Sequence, residues 1–251
     1  MLNRANIIQV ISLVMCVGAA SVCFSCNAGF DNSRVRSLNN EARSYYRDGM
    51  ELSREDKNDE AIQAFTKSIE AGPSAEAYNA RAAEYNRKGR IDDAITDANR
   101  AVMLSEKYAP VFFNRGNSYY KKGDYDRALK DYSRSIILDP EQPRCYFNLA
   151  QTYTRMGLKD EAIDMYGQSI RRDPGYYPAH YNSACLYAQK NMQDKAIESL
   201  DRAIKSGFCD PSLLKKEKSF DTMRKTAKFK KLSDGLDATF RSNGCKRTRS
   251  E

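Results

Sequence analysis

"GDYDRALKDYSRSIILDP" occupies Gly123–Pro140, and residues 157–174 then read "GLKDEAIDMYGQSIRRDP". Gly, Asp, Ala, Tyr, Ser, Ile, Asp and Pro return to the same places after 34 residues. The interval extends in both directions. The alanines of "DEAI", "DDAI", "DRAL", "DEAI" and "DKAI" are Ala61, Ala94, Ala128, Ala162 and Ala196, at spacings of 33, 34, 34 and 34. Twelve residues before each stands a small residue (Gly49, Ala82, Gly116, Ala150, Ala184), and sixteen before stands a ring (Tyr45, Tyr78, Phe112, Tyr146, His180). Seven after is again small: Ser68, Ala101, Ser135, Ser169 and Ala203.

Both halves of this unit read as helix. Ring, small residue and a second ring or apolar residue fall at i, i+4 and i+7 in the first half. The alanine, an apolar position and the second small residue do so in the second half, each set a single stripe of a 3.6-residue period. "RKGR", "KKGD" and "RMGL" between them suit a tight helix–helix turn. Pro73, Pro140 and Pro174 then stop the second helix, because proline lacks the amide hydrogen and disfavours helix in the residue before it. Two antiparallel helices approach closely only where both backbones carry small side chains, which accounts for the paired small positions. One such pair cannot bury its apolar face, so neighbours must stack.

Period and residue types resemble the tetratricopeptide repeat, or TPR. The repeats fall at 42–74, 75–108, 109–142, 143–176 and 177–210. The fold expected is therefore all-α: an α-solenoid of five TPR helix pairs with a C-terminal helical cap. The cap occupies 211–241, where Phe220, Met223, Ala227, Leu232, Leu236 and Phe240 recur at roughly helical spacing, and 242–251 reads as a basic disordered tail.

The first 30 residues differ in kind. Arg4 precedes a mostly apolar, uncharged run from Ile7 to Phe24, which reads as a signal segment or membrane anchor over 1–25, with a linker at 26–41. Three fates are open: cleavage before Cys26 with lipidation of its thiol, retention as an anchor helix just short of the usual 20 residues, or ordinary cleavage to a soluble exported protein. The expected location is the cell envelope, lipid- or membrane-anchored, with the array facing the periplasm; a soluble periplasmic or secreted protein is the alternative. Among the later cysteines, Cys145, Cys185, Cys209 and Cys245 form no close pair and read as buried small residues.

In the TPR family the first helices of successive repeats line a concave face that receives a peptide. The resemblance therefore implies a partner-binding groove at the second, fifth, sixth, ninth, twelfth and thirteenth places of each repeat. The candidates are Arg43, Tyr46, Arg47, Arg54, Arg87, Phe113, Asn114, Asn117, Tyr120, Lys121, Arg144, Phe147, Asn148, Gln151, Arg155, Tyr181 and Asn182. Seven of the 30 slots are basic and one, Glu76, is acidic, although residues 41–210 as a whole hold 26 Lys and Arg against 27 Asp and Glu. Such a wall attracts an acidic or carboxylate-terminated segment. Asn114, Asn148 and Asn182 recur every 34 residues, and an amide that donates and accepts can pair with a guest's backbone. Phe113, Tyr120, Phe147 and Tyr181 could anchor apolar side chains or serve the stack. Repeats that clamp the C-terminal carboxylate of chaperones are matched only in part, by Asn79, Ala83, Asn114, Arg144 and Asn148.

These residues point to a membrane-tethered adaptor; similar TPR lipoproteins of bacterial envelopes assist assembly of pili and other envelope complexes. A periplasmic carrier enclosing a small ligand is an alternative. A cysteine enzyme would have to use Cys185 with His180, the single histidine, which sits in a slot facing the partner helix. No catalytic, cofactor or metal site is expected, and no nucleic-acid partner. Residues 211–251 hold 12 Lys and Arg against 5 Asp and Glu, which suits either an anionic surface or a plain soluble cap.

Overall fold

The structure, a computed structural model, describes residues 32–243. The segment expected to be a signal or anchor, the lipidation candidate Cys26 and the tail from residue 244 lie outside them. The chain divides into two units, 1–40 and 41–251. Of the first, only the leading turns of a helix are described. That helix, α1 (Asn32–Arg54), continues into the second unit, so residues expected as linker are helical from Asn32 onward. No helix among the described residues is long and apolar enough to cross a membrane.

Helices follow in pairs: α1 with α2 (Asn58–Ala71), α3 (Ala75–Arg87) with α4 (Ile91–Leu104), and α5 (Ala109–Lys122) with α6 (Tyr125–Leu138). Then come α7 (Pro143–Arg155) with α8 (Lys159–Arg172), and α9 (Tyr177–Gln189) with α10 (Gln193–Lys205). No strand occurs among the described residues. This is an α-solenoid of five helix pairs.

The turn inside each pair has one geometry. Asp56, Gly89, Gly123, Gly157 and Asn191 occupy the same slot, and all take positive φ, from 58° to 83°. Glycine does this without a Cβ penalty, and Asp and Asn tolerate it better than other residues. In every turn the next amide closes back onto the preceding helix: Arg90 N donates to Tyr85 O at 2.8 Å, Asp124 N to Tyr119 O at 2.9 Å, and Met192 N to Tyr187 O at 2.9 Å. These bonds satisfy carbonyls that a helix end would otherwise orphan.

The paired small residues are the contact between helices. Ala61, Ala94, Ala128, Ala162 and Ala196 have no exposed surface, and neither do Ala82, Ala150 and Ala184. A Cβ on Gly116 would come within 2.8 Å of the Tyr132 ring, so the third pair needs glycine there. The later small position has a second use where it is serine. Ser68 Oγ donates to Ala42 O at 2.8 Å, Ser135 Oγ to Ala109 O at 3.2 Å and Ser169 Oγ to Pro143 O at 2.9 Å, each tying the second helix to the start of its own first helix.

Two kinds of ion pair reinforce this frame. Within the second and third pairs, Arg81 and Arg115 fork onto Asp97 and Asp131 through two bonds each, at 2.7 to 2.9 Å, and both carboxylates are buried. Between neighbours, Lys88, Lys122 and Lys190 reach back to Asp59, Asp92 and Asp160 in the first turn of the previous pair's second helix. Lys228 of the C-terminal segment reaches Asp194 in the first turn of α10 at 2.6 Å.

That segment comprises α11 (Pro211–Lys216), a 3-10 turn (Lys218–Phe220) and α12 (Ala227–Asn243). Leu214, Phe220, Met223, Phe229 and Leu236 bury against Tyr181, Leu200 and Phe208, covering the end of the stack. The expected stripe does not run along one helix: Phe220 closes the 3-10 turn, the members from Ala227 to Phe240 lie on α12, and Ala227 and Phe240 are exposed. Cys209 at the junction is half-buried and disulfide-bonded, not one of the buried small residues expected; Cys145 and Cys185 are free.

Candidate functional site

Residues of α3, α5 and α7, with Tyr132 of α6, enclose a concavity of about 450 Å³, lined by Ala83, Asn86, Arg87, Asn114, Asn117, Tyr120, Lys121, Tyr132, Asn148 and Gln151. A second, of about 160 Å³, follows along α7 and α9, and Tyr120 and Gln151 line both. Thr154, Arg155, Tyr166, Asn182, Cys185, Leu186 and Gln189 complete it. The two adjoin as one groove. Of the 17 candidates, Arg87, Asn114, Asn117, Tyr120, Lys121, Asn148, Gln151, Arg155 and Asn182 are brought together here. Arg43, Arg47, Arg54 and Arg144 are exposed but line neither hollow.

The five aromatic candidates divide. Tyr120 is half-buried in the shared wall. Phe113 is half-buried beside Tyr132, with centroids 6.1 Å apart, and Tyr46 packs on Phe65 at 5.8 Å. Phe147 and Tyr181 are buried, both 8% exposed. Phe147 meets Tyr166 at 5.6 Å and Tyr176 at 5.2 Å, while Tyr181 stacks on Phe208 at 4.7 Å. Neither ring lines a hollow. Phe147 packs within its own pair and on Tyr176 leading into α9, and Tyr181 packs on the end of its own pair and on Phe220 of the cap at 6.1 Å. Of the two uses left open by the sequence, these contacts are those of the stack.

The asparagine ladder is largely spent within the array. Asn114 Nδ2 donates to Asn79 Oδ1 at 2.8 Å, and Asn148 Nδ2 to Asn117 Oδ1 at 2.7 Å. The latter oxygen also accepts from Tyr132 Oη at 2.8 Å. Each Nδ2 keeps a second hydrogen for a guest. The first duty of these amides is to register one helix against the next.

The charges also sort. Every ionisable side chain with a full charge in the groove lining is basic: Arg87, Lys121 and Arg155. Arg87 is paired with Glu84, which is 2% exposed on the same helix, and also donates to Ser53 Oγ at 2.7 Å. Its charge is thus compensated, a feature hidden from a count of slots because Glu84 points between α1 and α3. Lys121 Nζ is held by Asn86 O at 2.7 Å, and Arg155 lies over the Tyr125 ring at 5.8 Å.

Tyr132 and Tyr166 were outside the candidates because they belong to the buried stripe of the second helices. Burial pushes both hydroxyls up, Tyr166 to about 12. The usable signal is the hydroxyl itself: the same slot holds Phe65, Ala98 or Leu200 elsewhere, and a buried Tyr needs a polar partner.

His180 is 4% exposed, and its Nε2 lies 2.9 Å from Pro174 O; a carbonyl only accepts, so that nitrogen carries a proton. Burial pushes the Cys185 thiol up to about 12, and no hydrogen bond joins it to His180. A thiol so disposed is a poor nucleophile. No cluster of three or more His, Cys, Asp or Glu able to hold a metal occurs among the described residues.

Family models described as TPR repeat or tetratricopeptide repeat match residues 41–109, 116–157, 143–176 and 177–206. The chain belongs to the tetratricopeptide repeat family. Solved structures agree with the TPR architecture. PilF of Pseudomonas aeruginosa superposes with a TM-score of 0.71 at 19% identity, over 82% of this chain and 92% of that one. MamA gives 0.58 at 25% identity, over 63% and 93%. YrrB, described as a TPR protein with an unusual peptide-binding site, gives 0.55 at 26% identity, over 69% and 91%. Among curated proteins none matches by sequence. A TPR array with such a groove is a protein-interaction scaffold.

Proposed function

We propose that this scaffold is a membrane-tethered adaptor of the cell envelope whose groove captures an extended acidic segment of a partner during assembly of an envelope complex. The observation that carries the reading is the groove over α3, α5, α7 and α9, whose charged lining is wholly basic and whose remaining lining is rich in amides. Amides suit a main chain and cations suit carboxylates. YrrB, a relative at 26% identity, carries a peptide-binding site, which supports the class of guest. Envelope placement is supported by the apolar run Ile7–Phe24 behind Arg4 and by the disulfide at Cys209, since disulfides persist in oxidising compartments.

Capture from an envelope extract with the full-length protein tests the groove. A defined partner should be retained by the wild type and lost by Lys121→Glu/Arg155→Glu. Undiminished retention removes the groove from the interaction. Mass spectrometry of the mature N-terminus tests the tether: a diacylated Cys26 or an intact residue 1–25 segment supports it, and a cleaved, unmodified terminus leaves a soluble periplasmic scaffold instead.

A further inference from the structure

The cations of the groove are not equivalent, and their partners say which of them a guest meets. Arg87 is committed: its guanidinium shares the Glu84 carboxylate with Ser53 Oγ, and Glu84 is 2% exposed. Drawing Arg87 away would strand a buried charge, which costs about 3–5 kcal/mol in general. Lys121 and Arg155 pair with no carboxylate among the described residues. Yet neither is loose. Lys121 Nζ is pinned across the repeat boundary by Asn86 O at 2.7 Å, and Arg155 is laid over Tyr125, with its charge felt at the Tyr120 hydroxyl. A cation fixed in place without a counter-ion is pre-organised for an anion from outside, because little side-chain entropy is left to lose.

Lys121 and Arg155 occupy the same slot of consecutive repeats, 34 residues apart, and Tyr120 and Gln151 stand in the wall that the two hollows share. We infer that the groove selects a guest by two acidic side chains, one on Lys121 and one on Arg155, with the main chain between them crossing Tyr120 and Gln151. The inference rests on the groove reading above and narrows it. Adjacent packed helices stand about 8–10 Å apart, and an extended chain advances about 3.3 Å per residue. The two acids are therefore about three residues apart. Gln151 can donate to and accept from the peptide group between them. Arg144, which a chaperone-type carboxylate clamp would need, lines neither hollow, so a free C-terminus is not required.

The test is selection of random nine-residue peptides, displayed with both ends blocked, on the full-length protein, followed by binding measurements on the enriched sequences. Enrichment of Asp or Glu pairs about three residues apart is expected. Replacing either acid by Asn or Gln should weaken binding about tenfold, the scale of a charge-assisted bond. Lys121→Met and Arg155→Met should each abolish the penalty at one acid only, and Arg144→Met, an exposed cation outside both hollows, should leave the preference for the acid pair intact. Circular dichroism and urea melts establish that the variants are folded. Enriched peptides without the acid pair, or a pair whose preference survives Lys121→Met and Arg155→Met, overturn the inference while leaving the groove reading standing. Peptides that compete no better than a single-stranded oligonucleotide overturn it in favour of a generic polyanion site. If no peptide is enriched, both readings fall together.

Discussion

Arg115 holds Asp131 through two bonds at 2.7 Å, with 18% of the arginine side chain and 8% of the carboxylate exposed. A pair this enclosed has most of its value in what its loss would leave behind. Arg115→Leu should destabilise the protein by about 3–5 kcal/mol, because the aspartate stays buried without a partner. The double variant Arg115→Leu/Asp131→Leu should recover most of that in urea unfolding. Equal losses in the single and double variants would mean that the fork contributes net stability of its own. Cys185 provides a second residue-scale test. Its folded thiol titrates near 12 because it is buried, against an ordinary value of 9.0, so the folded state favours the protonated form. The stability this contributes is complete below about pH 9 and is lost as pH rises toward 12. Tyr166, also raised to about 12 from 10.0 by burial, adds loss in the same direction. Urea midpoints should therefore fall between pH 8 and pH 11, with a smaller fall in Cys185→Ala, and iodoacetamide should label the native thiol slowly at pH 7. Rapid labelling at neutral pH would reopen the case for a reactive cysteine.

Helices and their turns were legible at the scale of elements because each is specified locally. The breakers "RKGR", "KKGD" and "RMGL" contain Gly89, Gly123 and Gly157, which take positive φ, and the proline stops fall where second helices end. The 3-10 turn inside the cap was not legible, since apolar spacing alone cannot separate one long helix from two short pieces joined by a bend. The groove was legible only as a set of slots. Which members are free depends on partners one repeat away, as with Asn148 on Asn117 or Lys121 on the Asn86 carbonyl, and nothing in a single repeat encodes them. The lysine ladder between repeats has the same character, and it has a gap. Lys88, Lys122 and Lys190 each meet an aspartate of the preceding pair, but the fourth repeat carries Met156, 37% exposed, where the facing aspartate would be Asp126. Met156→Lys should add the missing rung. For an exposed pair the gain is a few tenths of a kcal/mol and shrinks with salt. A double-mutant cycle with Asp126→Asn, run at low and high ionic strength, measures it; a gain that survives Asp126→Asn would come from removing an exposed apolar side chain instead.

At the scale of the whole array, cooperativity should follow the uneven distribution of ties. In a solenoid each repeat touches only its neighbours, so stability is a sum of repeat and interface terms and need not be lost all at once. The forks Arg81–Asp97 and Arg115–Asp131 lie in the second and third pairs, which also border the larger hollow. The fifth pair has no such fork; α9 joins the fourth pair through Ala179 and Leu186, and the rest of the pair's apolar face is shared with the cap, through Leu214, Phe220, Met223 and Leu236. Native-state hydrogen exchange should show the slowest amides in α3 to α6 and faster exchange in α9 and α10, because sub-global opening starts where fewest contacts must break. A chain ending at Asp210 would expose Tyr181, Leu200 and Phe208 to water, so exchange in α9 and α10 should rise sharply while α3 to α6 keep their protection. Loss of protection throughout the array on that truncation would mean that the repeats fold as one unit, with the cap needed to hold the groove itself together. Reduction of the Cys209 disulfide adds a second comparison. If burial of the four cap side chains is what seals the last repeat, dithiothreitol should quicken exchange in α9 and α10 less than the truncation does.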